Sequence, residues 1–209
     1  MTSQDAKMAK MASPYTAAMT REQFLFYEMR ATARLLAEGL DDAEALQRIQ
    51  QENLFQYPTG KSLRVVALGC IRRLRCLQDD ELVRAIAEQP VEEARQICLY
   101  AMMKQFRLVW DFMITVVGEK FETRDLTLSR SDLALFFLRL QEHDPWVASW
   151  SDSTIAKLQQ VLRKTLVDTG YLESLRSSRL NPVVISPILE QAIRSSGDEV
   201  ALSAFCCFS

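Results

Sequence analysis

Apolar side chains recur at helical spacing along most of the chain, and glycine or proline stands where many of the runs stop. This periodicity predicts amphipathic helices over about residues 20–38, 41–53, 61–75 and 79–89. Residues 91–117 are apolar on most sides, which is typical of a helix at the centre of a bundle. The pattern therefore predicts a mainly α-helical fold, with a disordered leader at residues 1–19 and a helical bundle at residues 20–118.

A polar connection at residues 119–130 is predicted to lead into a second unit, residues 131–209. The pattern there predicts, in order, a helix, a tight break, a longer helix and a β-hairpin with a basic tip. Their approximate positions are residues 132–142, 145–146, 153–169 and 171–185. Because a winged helix-turn-helix domain has this order of elements, we expect a winged-helix-like carboxy-terminal unit.

Composition narrows the class of protein. The chain has 209 residues, of which 48% are hydrophobic and 25% charged, as in ordinary globular proteins. Its most apolar stretch is far shorter than the roughly 20 residues that a membrane-spanning helix needs, so we expect no membrane insertion. Five cysteines without paired spacing indicate reduced thiols and a cytoplasmic location. With a single histidine and no Cys-x-x-Cys motif, the sequence predicts no metal site and no cofactor.

One segment concentrates positive charge. Residues 53–78 contain five basic side chains and no acidic one, although the whole chain has a formal charge of −2. On a helix, four of the five fall within about 80° of one another and form what we name the first basic stripe. Its members are Lys61, Arg64, Arg72 and Arg75, whereas Arg73 lies off it. The stripe predicts a polyanionic partner, with nucleic acid the first candidate. The alternative is that acidic segments on either side neutralise it within the molecule.

A second group of cations lies in the predicted winged-helix-like unit. Lys157 and Lys164 share the exposed face of the helix at 153–169, and Arg176 and Arg179 lie at the hairpin tip. We name these four residues the second basic surface. In a winged helix-turn-helix the helix would enter the major groove while the tip contacts phosphates. Asp168 lies on the same helical face and reduces its charge.

Catalytic chemistry is not indicated. Gly60-Lys61-Ser62 reproduces the end of a phosphate-binding P-loop, but Phe55 occupies the position where that motif requires glycine. The start of this helix, with Lys61, remains a candidate seat for one backbone phosphate. His143 stands at a helix end, where histidine is usually a cap or solvated. We therefore predict a protein without enzymatic activity.

Four segments carry a resemblance to a known family. They are Phe26-Tyr27-Glu28-Met29-Arg30, Glu38-Gly39-Leu40, Asn53-Leu54-Phe55-Gln56 and the block at 153–172. Together they resemble the BrxA family of the bacteriophage-exclusion (BREX) defence systems, and the resemblance covers about residues 20–193. It implies a cytoplasmic, mainly helical DNA-binding protein whose amino-terminal bundle is similar to the NusB antitermination fold. The family was long catalogued as inner-membrane proteins, a description that these residues do not support.

The resemblance supplies no binding motif to transfer, so the site residues rest on charge geometry alone. The first hypothesis is a non-enzymatic DNA-binding component of a BREX system that contacts phosphates of double-stranded DNA through both basic surfaces. The second is a protein-protein interaction subunit that docks other BREX subunits. A third is an RNA-binding NusB-like module. The sequence leaves base preference, oligomeric state and partner subunits open.

Overall fold

A computed structural model describes the backbone of residues 3–208 and the side chains of residues 8–208. The prediction of a mainly α-helical fold is confirmed, and the regular structure of the described chain is helical. The α-helices are α1 (Ser3–Ala12), α2 (Phe26–Ala37), α3 (Asp42–Glu52), α4 (Gly60–Arg75), α5 (Asp80–Glu88), α6 (Val91–Gln105), α7 (Arg107–Phe112), α8 (Glu119–Glu122), α9 (Arg130–His143), α10 (Pro145–Ala148), α11 (Asp152–Asp168) and α12 (Pro187–Ser195). Short 3-10 helices span Ala18–Thr20 and Glu199–Phe205, and a π-helical turn spans Met113–Gly118.

The chain divides into two compact units, each built from separate stretches of sequence. One, which we name the α4 unit, combines Phe24–Gln105 with Ile185–Glu199. The other, the α11 unit, combines the segment that ends at Gln23, Phe106–Val184 and the segment that begins at Val200. These boundaries differ from the predicted connection at 119–130, because the chain leaves the α4 unit between α6 and α7.

The break between α6 and α7 lies at Phe106, where a single continuous helix was expected. Phe106 has an extended backbone (φ −120°, ψ 107°), which ends one helix and starts the next. Neither glycine nor proline marks the position, so local sequence gives no stop signal. Helix α6 itself has the buried character predicted for a central helix: Ile97, Cys98 and Leu99 are fully buried, and so are Ala101 and Met102.

The α4 unit packs α2, α3 and α4 around a shared apolar cluster. Its buried members are Leu35, Ala45, Ile49, Leu63 and Ala67. The short helix α12 returns to this unit through a polar network. Asp198 accepts hydrogen bonds from Lys104 Nζ and from the Tyr100 hydroxyl, each 2.6 Å long. Ser186, just before α12, donates to Glu93 at 2.6 Å and joins the other end of α12 to α6.

The α11 unit contains α9, α10 and α11 in the expected order, but the predicted β-hairpin at 171–185 is not formed. Residues 178–180 pair instead with residues 126–128, which precede α9. The Leu128 N–H donates to the Ser178 carbonyl at 2.6 Å, and the Leu180 N–H donates to the Leu126 carbonyl at 2.8 Å. One antiparallel bridge, Thr127 with Arg179, results. Residues 178–180 therefore pair with a backbone segment distant in sequence rather than with the adjacent residues of a hairpin.

The segment expected to be a disordered leader is helical where it is described, in α1 and in the turn at Ala18–Thr20. Specific contacts hold it to the α11 unit. Lys10 Nζ lies 5.5 Å from the centroid of the Trp146 ring, a cation–π arrangement. The Tyr15 hydroxyl donates to Asp111 at 2.8 Å, and Met19 is fully buried. Sequence composition alone did not reveal these long-range contacts.

Candidate nucleic-acid interface

Helix α4 presents the first basic stripe because its opposite face is anchored in the core. The Thr59 hydroxyl caps the helix by accepting the Ser62 N–H at 3.2 Å. The inward side chains Leu63, Cys70 and Leu74 are buried, as the helical pattern predicted. All four members of the first basic stripe are exposed on the outward side.

The exposed stripe residues differ in their partners. Arg64 Nη1 donates to the neutral Gln50 side chain at 3.3 Å, so its charge is oriented but not cancelled. Lys61, in the first turn of α4, forms no ion pair with a described residue. Arg72 is also exposed. Of these, Lys61 and Arg64 clearly leave positive charge on the surface of the α4 unit.

Arg75, in contrast, is neutralised within the molecule. Its Nη2 and Nε atoms lie 2.7 and 2.9 Å from Asp42 Oδ1, and Nη1 is 3.8 Å from Asp80. The hydrogen bond with Asp42 raises the pKa of the Arg75 guanidinium above its ordinary value. The alternative of internal pairing therefore applies to this end of the stripe.

Arg73 has a structural role that charge geometry did not identify. Its side chain is fully buried in the α4 unit. Nη1 donates to the Phe24 carbonyl at 3.0 Å, and Nε donates to Gln105 Oε1 at 2.8 Å. These bonds join α4 to the start of α2 and the end of α6. Its helical angle, opposite the basic stripe, was the signal that could have shown its burial.

Helix α11 carries Lys157 and Lys164 on one exposed face, as predicted. The Ser151 hydroxyl caps the helix by accepting the Thr154 N–H at 3.3 Å. Lys157 Nζ donates to the neutral Gln160 amide at 3.2 Å. Lys164 instead forms an ion pair with Asp168 at 2.9 Å. Asp168 thus cancels one charge of the helix while Lys157 keeps its own.

The tip segment that carries Arg176 and Arg179 is attached directly to α11. Arg163 Nη2 donates to the carbonyls of Leu175 and Ser177, at 3.1 and 2.5 Å. The turn is closed by a Ser177 N–H bond to the Ser174 carbonyl. Arg176 and Arg179 are both exposed. Arg163 therefore ties the backbone of the tip at Leu175 and Ser177 to α11, and it is the residue of this arrangement that sequence reasoning missed.

Reactive side chains are not gathered into a catalytic arrangement in the described residues. None of the five cysteines, all of which the structure describes, is in a disulfide, and burial raises the pKa of Cys98 to about 12, which disfavours the reactive thiolate. Residues 8–208 contain no group of three or more histidine, cysteine or acidic side chains placed to hold a metal ion. Across the helices described here, none is both long enough and apolar enough to cross a bilayer.

These observations define the class of protein: a mainly helical protein of two compact units, each with exposed cations that neutral acceptors orient. The chain belongs to the BrxA family, whose profile matches residues 13–197. It is 34% identical over 188 residues to the BREX protein BrxA of Bacillus cereus (strain H3081.97), covering 89% of this chain and 93% of that protein. It is 28% identical over 179 residues to the BREX protein BrxA of Escherichia coli O9:H4 (strain HS), covering 84% and 82%.

A solved structure has the same fold. The crystal structure of an uncharacterized protein from Magnetospirillum magneticum superposes with a TM-score of 0.79 at 24% identity. The match covers 92% of this chain and 98% of that one. The arrangement of helices is therefore shared over nearly the full length of both chains.

Proposed function

We propose that this chain is a non-enzymatic DNA-binding component of a BREX phage-defence system, acting in the cytoplasm and contacting the phosphate backbone of double-stranded DNA. Family membership and relatives named BREX protein BrxA support the place in phage defence. The observation that carries the DNA-binding part is the Arg163 bridge, because it ties the tip segment that carries Arg176 and Arg179 to α11, the helix that carries Lys157 and Lys164.

The order of elements in the α11 unit supports a winged-helix-like mode of binding. Helices α9, α10 and α11 follow one another closely, and the tip behind α11 pairs with residues 126–128 before α9. In this mode α11 approaches the major groove while the tip contacts phosphates. Lys157 and the two tip arginines are the contacts that we expect to contribute most, because the charge of Lys164 is already shared with Asp168.

The first basic stripe is a second proposed contact surface. Lys61 and Arg64 present charge that no described carboxylate neutralises at close range, and Arg72 extends the same exposed face. The packing of α2 to α6 in the α4 unit is consistent with a NusB-like bundle. These side chains would contact phosphates rather than bases. Because such contacts release counterions from the DNA, binding should weaken steeply as the salt concentration rises.

A second candidate function is docking of other BREX subunits. Leu135 and Leu138 of α9 are 45% and 52% exposed, and they border an open groove of about 550 Å³ shared with α11. Exposed apolar side chains that line a groove are typical of protein-protein contact sites. Binding to structured RNA through the NusB-like bundle is a third candidate, which competition between duplex DNA and RNA would distinguish.

Fluorescence anisotropy of labelled duplex DNA across a salt series tests the proposal. Two double variants are compared with the wild type: Arg176→Ala with Arg179→Ala, and Lys61→Ala with Arg64→Ala. We expect each to make the slope of log affinity against log salt shallower by about two. Arg48→Ala is the matched control, because Arg48 is an exposed arginine of α3 that is paired with Glu52 and is not a member of the stripe. Absence of binding at low salt would rule out DNA as the partner, and equal slopes in all proteins would rule out these residues as the phosphate contacts.

A further inference from the structure

A cavity of about 340 Å³ lies between α9, α11 and the tip of the α11 unit. Two arginines, Arg130 and Arg163, line it together with the amides of Gln159 and Gln160 and three apolar side chains. Every lining residue lies in the described part of the chain, and none of them is acidic. The cavity is therefore a concave site whose lining residues carry two guanidinium groups and two carboxamides.

The positive charges of the two arginines repel one another. Burial, and then the charge of Arg130, lowers the pKa of the Arg163 guanidinium below its ordinary value. Such a pair of like charges at one cavity is unfavourable unless an anion shares it. Two other basic residues are neutralised by carboxylates: Arg75 pairs with Asp42, and Lys164 pairs with Asp168.

Arg163 is also fixed in place before any ligand arrives. Its Nη2 atom is held by the carbonyls of Leu175 and Ser177, so the side chain is not free to swing away from the cavity. Lys157 donates to Gln160, which brings a third positive charge to the rim. The two carbonyls occupy Nη2 of Arg163, which leaves its Nε and Nη1 to donate, while Arg130 can present a guanidinium fork. Because guanidinium groups form charge-assisted hydrogen bonds with phosphoryl oxygens, this arrangement fits a phosphate better than an uncharged ligand.

We propose that this cavity is an anion-binding site for a phosphoryl group, with Arg130 and Arg163 as its principal ligands. The phosphate can belong to a bound nucleic-acid backbone or to a free phosphorylated molecule. The first source rests on the proposed function, because the cavity lies beside the exposed face of α11. The site itself does not, since it depends only on the charges and the shape of the α11 unit.

Inorganic phosphate is the probe for the site, with sodium chloride at matched ionic strength as the reference. We expect phosphate to raise the midpoint of thermal unfolding of the wild-type chain above that in chloride. Arg130→Gln should weaken phosphate affinity, measured by titration calorimetry, by at least about tenfold because a charge-assisted bond is lost. Arg130→Lys should retain part of the affinity, and Arg139→Gln, an exposed arginine of the same helix outside the cavity, should retain all of it.

The same variants on duplex DNA identify the source of the phosphate. If Arg130→Gln lowers the salt slope of DNA binding by about one, the site takes a backbone phosphate. If it abolishes phosphate binding and leaves the slope unchanged, the site takes a free phosphorylated ligand. A wild-type chain that binds phosphate but not DNA would remove the proposed function and keep the site. Equal responses to phosphate and chloride, or an Arg130→Gln variant that binds phosphate as the wild type does, would overturn the inference.

Discussion

Removal of the Asp42 carboxylate, which is paired with Arg75, should strengthen DNA binding. Asp42 accepts two bonds from Arg75, at 2.7 and 2.9 Å, and both side chains are about half exposed, 46% and 51%. Asp80 is 3.8 Å away and 91% exposed, too distant and too solvated to replace Asp42. Asp42→Asn should therefore return Arg75 to the first basic stripe as a usable phosphate contact.

The size of the effect follows from counterion release. One added phosphate contact steepens the slope of log affinity against log salt by about 0.9. A fourfold fall in salt, from about 200 to 50 mM, should then raise the ratio of variant to wild-type affinity about 3.5-fold. Stability should change by less than about 1 kcal/mol, because exposed ion pairs contribute little, so the binding change can be measured on a folded protein.

Anisotropy titrations of duplex DNA over this salt range provide the measurement. Glu52→Gln is the matched control: it removes one negative charge from the same helix and breaks the exposed Arg48–Glu52 pair, which includes no member of the stripe. If Asp42→Asn and Glu52→Gln behave alike, the effect is one of net charge and α4 does not contact DNA. If Arg75→Ala already weakens binding as much as Arg64→Ala, the ion pair opens in the complex and the reasoning from its geometry is refuted.

Three further predictions concern folding. Gly118→Ala places a Cβ atom 2.6 Å from Ser203 Oγ, so chemical denaturation should show a loss of about 1–3 kcal/mol, and Ser203→Gly in the same chain should reduce it. Arg73→Met removes the hydrogen bonds to the Phe24 carbonyl, which is buried, and to the Gln105 side chain; we expect a loss of roughly 2–4 kcal/mol, and one below about 1 kcal/mol would contradict the role of Arg73. Burial alone would raise the pKa of Asp198, but hydrogen bonds, first that from Lys104, lower it below its ordinary value. Asp198 therefore adds stability above its unfolded pKa of about 3.9 and loses it as the pH falls below that, so Asp198→Asn should flatten this part of an acid-denaturation curve.

Local patterns in the sequence predicted the elements that local interactions determine. The inward face of α4, with Leu63, Cys70 and Leu74, was visible from its spacing, and so was the glycine that ends α11, Gly170, which has a φ of 83°. The exposure of the cations on α4 and α11 followed from the same geometry. These features depend on neighbours three or four residues apart, which a sequence displays directly.

Features set by distant partners were not predictable in the same way. The pairing of residues 178–180 with residues 126–128 joins segments about fifty positions apart, and the break at Phe106 has no glycine or proline to mark it. Whether a cation is neutralised also depends on such distant partners. Arg75 meets Asp42, 33 positions away, while Arg64 meets Gln50. Charge counting treats these two arginines as equal, and the structure does not.

Neutral acceptors give the exposed cations a property that net charge does not describe. Arg64 donates to Gln50, Lys157 donates to Gln160, and Arg163 donates to backbone carbonyls. An amide or carbonyl orients a cation without cancelling its charge, so part of the side-chain entropy is lost before a ligand binds. A carboxylate in the same place would orient the cation and neutralise it. In a chain with a formal charge of −2, the choice of glutamine over glutamate beside these residues is therefore what keeps local positive potential available to a polyanion.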